Sequence, residues 1–160
     1  MYRLKSLRTI GLAGLLAIAG ISAGDIAARA DGTADAIATR QAIMKSFGAH
    51  FGGIKAAALA GNNKAVVGNA TAVNALSKVL GLYFPKGSGP ESGLKTQALA
   101  TIWTDKAGFD AVLTTLATQS AKLIDVAKGG GDSGAMMAQF GQVGKQGCGG
   151  CHRTYRQKKK

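Results

Sequence analysis

Cysteine is nearly absent from this chain. The only two, Cys148 and Cys151, lie three apart, so no disulfide framework is available and stability must come from burial or a bound group. Proline occurs twice, at Pro85 and Pro90, which leaves room for long helices. No strand-like alternation of apolar and polar residues competes with helical patterning. No serine or cysteine nucleophile with a paired base is present, and no phosphate loop, so no enzymatic activity is expected. Acids are scarce, 8 Asp+Glu against 20 Lys+Arg, a formal charge of +12. Glycine, by contrast, is abundant at 24 residues. Each costs about 1 kcal/mol relative to Ala inside a helix, a cost that a group bound only by the native state can offset in part.

Residues 1–30 read as a secretory signal peptide. Arg3, Lys5 and Arg8 form a basic start, Ile10 to Ile21 is an uncharged apolar run, and Ala28-Arg29-Ala30 is a cleavage site followed by Asp31. The run is shorter than the ~20 residues of a membrane span. A cut after Ala23 and an uncleaved N-terminal anchor are the alternatives. The expected mature domain is residues 31–160, periplasmic in a bacterium and without an integral membrane span. Removing four basic residues and one acid leaves 16 Lys+Arg and 7 Asp+Glu, a formal +9. Such a surface favours acidic partner proteins or anionic membranes. Nucleic acid is not expected as a partner outside the cytoplasm.

Cys148-Gly149-Gly150-Cys151-His152 is a C-x-x-C-H, the attachment signature of c-type haem. Its thiols bond to the two vinyl groups of the porphyrin, and the adjacent histidine ligates the iron. Export agrees with it, since two free thiols three apart would form a disulfide in an oxidising compartment. Gly149 and Gly150 are expected to leave room against the porphyrin edge.

Four helices are predicted. The first, from about Asp35 to Ala60, carries the stripe Ile37, Met44, Phe47, Phe51, Ile54 and Ala58. The second runs from about Lys64 to Tyr83. After a glycine- and proline-containing loop, Leu94 to Trp103 suits a short helix. The third long helix runs from about Asp105 to Lys128, stopped by Gly129-Gly130-Gly131. Asp132 or Ser133 can cap the fourth, from about Ala135 to Lys158. The predicted fold is all-α, an antiparallel four-helix bundle with the haem on its C-terminal helix.

The chain resembles the cytochrome c′ family, including its six-coordinate low-spin relatives. The resemblance covers nearly all of residues 35–160. It rests on the ending Cys148 to Lys158, on Arg40-Gln41-Ala42-Ile43-Met44 with His50-Phe51-Gly52, and on Ile102 to Phe109. The C-terminal place of the motif is itself discriminating, because most c-type cytochromes carry it near the N-terminus. The resemblance implies one covalent haem c, with Cys148 and Cys151 as thioether anchors and His152 as proximal iron ligand. It implies Met44 facing the open side of the iron, Arg40 near a haem propionate, Arg156 near the proximal pocket and Trp103 packed by the haem. A homodimer through the first two helices is also implied.

Each assignment has a plainer competitor. The motif could be a disulfide beside a surface histidine, and Met44 a core methionine, as helical stripes usually contain. Arg156, about 400° beyond His152 on a helix, stays on the haem side but could be solvated charge. The trailing lysines suit a helix end, where cations favour the dipole. His50, the only other histidine, lies roughly 120° round from Met44 and should be a surface or interface residue. Within the family a methionine at Met44 can bind the iron or sit off it. Two functions follow: a periplasmic one-electron carrier with His152 and Met44 as ligands, or a five-coordinate protein binding NO or CO. A secreted bundle holding a disulfide or stray metal is the third reading.

Overall fold

Residues 23–158 are described by the computed structural model. They form an all-α bundle: α1 (Ala23–Leu59), α2 (Asn63–Val79), a short α3 (Thr101–Thr104), α4 (Lys106–Lys128), α5 (Ser133–Gln142) and α6 (Gly149–Tyr155). No strand occurs among the described residues, only one isolated bridge, between Ala98 and Arg156. The expected signal peptide lies largely at residues 1–22, outside the described residues. The first helix begins at Ala23, not at Asp35. Its alanine-rich opening has helical propensity without an apolar stripe, which is the signal the expectation used.

The caps follow from local chemistry. Asn62 accepts from Ala65 N, Asp105 from Gly108 N and Asp132 from Ala135 N, each satisfying an amide that the first turn leaves free. Gly130, at φ 79°, takes the left-handed turn after α4. α1 packs on α2 and α5, while α4 packs on α2 and on the whole last helical stretch. Ile54, Val66, Val73, Leu80, Phe109, Leu123 and Met136 are sealed between them. Asn63–Tyr83 has the length and apolarity of a membrane span, yet it buries Val66, Ala70, Val73 and Leu80 in this core.

The predicted fourth helix is corrected in two ways. It is not one α-helix: Val143–Cys148 is a π turn between α5 and α6. It also ends at Tyr155 and not near Lys158, because Arg156 turns extended (φ −119°, ψ 137°) and bridges Ala98. Gln157 N donates to Gln97 O at 2.8 Å, and Leu99 N to Tyr155 O at 3.1 Å. The same pairing corrects the short helix expected over Leu94–Trp103. Only Thr101–Thr104 is helical, since residues 97–99 spend their backbone groups on the C-terminal segment.

Candidate functional site

One large cavity of about 870 Å³ opens between α1, α4, α6 and the segment 95–98. That is at the upper end of the roughly 300–1,000 Å³ typical of small-molecule sites. Met44, Phe47 and Phe51 line it from α1, Phe109, Val112, Leu113 and Leu116 from α4. The π turn and α6 contribute Gly144, Gly147, Cys148, Cys151, His152 and Tyr155, and Arg156 follows. Residues far apart in sequence thus meet at one apolar chamber: Arg40, Met44, Cys148, Cys151, His152 and Arg156 all face it.

The cysteines and histidine of the motif line the chamber. Both cysteines are unpaired and half-buried. Burial pushes the Cys148 thiol up and that of Cys151 to about 11, with Cys148 raising it further and Arg156 drawing it back. Burial lowers the His152 pKa and the neighbouring Arg156 charge lowers it again. A neutral imidazole, with a lone pair available to a metal, is therefore favoured.

The π turn explains how α5 hands over to this motif. Five residues separate Val143 from Cys148, a displacement of about 140° around an α-helix but roughly one full turn where bonds run i→i+5. The close approach of this turn to α4 requires Gly147, where a Cβ would stand 2.6 Å from Leu116 Cδ1 and 3.2 Å from its Cα. Gly144 meets Phe51 in the same way, at 3.1 Å from Cζ. Both line the chamber, as does Gly48 on α1. Gly149 and Gly150, between the two cysteines, are not among the residues that line it.

Arg40 is 3 % exposed, although it is a cation. It donates to Ser88 Oγ (2.8 Å), Ser88 O (2.6 Å), Thr96 Oγ1 (2.8 Å) and Tyr83 O (3.3 Å), and its guanidinium lies 4.7 Å from the Phe84 ring centre. Desolvation lowers its pKa, while the Glu91 charge acts the other way. The long loop 84–96 is thus wrapped around one cation of α1. Trp103 does not line the chamber. It stands one layer back, its Nε1 donating to Phe84 O and Pro85 O at 3.1 and 3.0 Å, and it supports Phe84 from behind. His50 is also away from the chamber, with Nδ1 3.0 Å from Asn69 Oδ1.

Sequence reasoning missed the segment Lys95–Ala98 and the basic rim it makes with Lys45. It also missed the Tyr155–Asp105 pair, whose hydroxyl donates to Oδ2 at 2.6 Å. No local signal marks these, since each depends on two segments fifty or more residues apart. Arg156 reaches the chamber as expected but by another route, from extended backbone and not from a helix face.

The residues fit a flat, covalently held porphyrin. Two unpaired thiols and a neutral imidazole share one apolar chamber, and Arg156 Nε is buried there without a hydrogen-bond partner. An orphaned cationic donor beside such a space suits a group that carries carboxylates.

Comparisons agree. The Cytochrome C′ family model matches residues 35–156. The chain is 34% identical over 127 residues to the cytochrome c′ of Rubrivivax gelatinosus, covering 78% of this chain and 95% of that one. Among solved structures it is similar to a ferrous variant of cytochrome c′ from Alcaligenes xylosoxidans with bound NO, at TM-score 0.68 and 26% identity over 79% of this chain and 97% of that one. It is also similar, at TM-score 0.70, 25% identity and the same coverage, to a cytochrome c′ whose dimer dissociation is ligand-controlled.

Proposed function

Because this chain belongs to the cytochrome c′ family and binds covalently attached haem c, we propose that it is a periplasmic one-electron carrier with His152 and Met44 as axial iron ligands. Cys148 and Cys151 hold the porphyrin by thioethers. When bound, the haem supplies an iron that exchanges one electron between its ferric and ferrous forms. The observation that carries this reading is the donor set of the chamber. Among the described residues Met44 is the only thioether lining it, and it comes from a different helix than His152. Lys45 and Lys95, amines on flexible stems that also line it, are exposed. A thioether is neutral, so it can stand in an apolar chamber without the cost of burying charge. It is also a competent sixth ligand that raises the potential. Arg40 and Arg156 supply fixed positive charge for the propionates. Phe47 and Phe51, three and seven residues beyond Met44, keep water from that wall.

The apolar wall favours a second reading. With Met44 off the iron, the apolar wall on that side would admit neutral diatomics, giving a protein that binds NO or CO. The similarity to relatives solved with bound NO supports it. The likeness to a dimeric relative supports a homodimer, checked by sedimentation with and without CO.

Absorption spectra of the ferric and ferrous protein, beside a Met44→Ala variant, separate the two. A thioether-to-iron charge-transfer band in the ferric protein that vanishes in the variant establishes the carrier. High-spin spectra in both oxidation states, with ready CO binding in the parent protein, establish the gas site. No haem mass on the purified chain defeats both.

A further inference from the structure

Among the described residues, four cations and no acid line the chamber: Arg40, Lys45, Lys95 and Arg156. The arginines face inward, Arg40 bonded to Ser88 and Thr96, and Arg156 with its Nε shut from solvent. The lysines differ. Lys45 and Lys95 are exposed, and among the described residues neither pairs with a carboxylate.

The C-terminal segment adds a third. On a continued helix Lys158 would ride on past the end of the bundle. The Ala98–Arg156 bridge and the bond from Gln157 N to Gln97 O instead lay this segment along the lining loop. Lys158, exposed, follows directly on the residue bonded to that loop. Leu94, 42 % exposed, precedes Lys95 in the same loop.

We propose that Lys45, Lys95 and Lys158 form the docking rim for the acidic face of a redox partner protein. The proposal rests on the chamber being the haem site. An electron leaves or enters by the shortest path from partner to haem, so charge at the opening steers encounters where charge elsewhere does not. Such rims act on association rate more than on affinity, as suits the small, transient interfaces of electron transfer. A membrane surface fits less well. Membrane-bound helices present a continuous apolar face, and of the exposed large apolar residues Leu59, Val79, Leu82 and Leu94, only Leu94 lies in the lining loop.

Two small oxidants of opposite charge serve as probes of the holoprotein: anionic hexacyanoferrate(III) and cationic tris(phenanthroline)cobalt(III). Each takes one electron from the ferrous protein and becomes its own one-electron-reduced form, with no proton or bond exchanged. At an ionic strength of about 0.1 M, where the Debye length is about 10 Å, only nearby charge is felt. Lys45→Glu/Lys95→Glu is compared with Lys64→Glu/Lys122→Glu, an exposed pair that does not line the chamber and changes net charge equally. Reduction potentials of both variants correct for driving force.

The rim pair is expected to slow the anion about tenfold and to speed the cation, with little change from the remote pair. Adding Lys158→Glu deepens the effect. Equal effects from both pairs overturn the proposal. So does a rim pair that loses binding to vesicles of anionic phospholipid while both oxidation rates stay unchanged. A purified chain without the haem mass overturns the haem site and the rim with it, whereas equal rates in a haem-bearing chain overturn the rim alone.

Discussion

Arg40 shows what a single buried charge can organise. Its guanidinium replaces water with Ser88, Thr96 and a backbone carbonyl of Tyr83, so removing it leaves several polar groups unpaired at once. Arg40→Ala is expected to lower stability by about 2–3 kcal/mol, measured by urea unfolding of the holoprotein. It should also loosen loop 84–96, read as faster amide exchange there. Tyr155 and Asp105 make a second such pair, with opposite pH signatures. The hydrogen bond from Tyr155, then that from Gly108 N, holds the Asp105 carboxyl below the usual range. Its contribution is present above the unfolded carboxylate pKa and lost as pH falls through the lower folded value. The same bond raises Tyr155 to about 12. Its contribution is full below the unfolded phenol pKa of about 10 and fades as pH rises toward 12. Tm of the wild type should therefore fall at both extremes, and Tyr155→Phe should flatten the alkaline fall. None of this was legible from sequence, because the pair joins residues fifty apart. The α1 stripe made Met44 legible only as buried, since a buried stripe faces either core or haem; its place on the chamber wall was implied by the family resemblance.

At the level of elements, the long helices were readable because period and caps agree. Asp105, Asp132 and the glycines after Lys128 each act where the pattern placed them. The last helix was misread because apolar periodicity assumes one helical repeat throughout, and the π turn changes the repeat over six residues. Glutamines brace it: Gln139 Nε2 donates to Gln119 Oε1, Gln119 Nε2 to Gln146 Oε1 and Gln146 Nε2 to Gln142 Oε1. These bonds satisfy the polar groups beside α4, and Gly147 sets the distance. Gly147→Ala should cost roughly 1–3 kcal/mol by overpacking against Leu116. Gly141→Ala, on the exposed side of α5 with open space at its Cβ, should gain up to about 1 kcal/mol. Urea titration of both holoproteins checks the contrast. A Gly147→Ala loss smaller than the Gly141→Ala gain would mean that the two helices can part at little cost.

For the whole molecule, the chamber dominates the energetics. Without the porphyrin its apolar walls meet water, an unfavourable change in a domain usually stable by only about 5–15 kcal/mol. A chain with both cysteines replaced by alanine is therefore expected to lose native packing. It should show a lower Tm, loss of near-ultraviolet circular dichroism and increased dye binding. A native-like Tm would show that the core holds without its cofactor. The four-helix plan was readable from patterning, but the enclosure was not, since the loop that closes it is held by Arg40 and by the C-terminal bridge, neither a local feature. The bridge has a further consequence. A seven-residue helix such as α6 is far too short to persist alone in water, and its amides would ordinarily exchange with solvent almost freely. Here one end is wedged by Gly147 against α4 and the other is tied to residues 97–99. Its amides should therefore be among the slowest to exchange, opening only when the bundle as a whole opens.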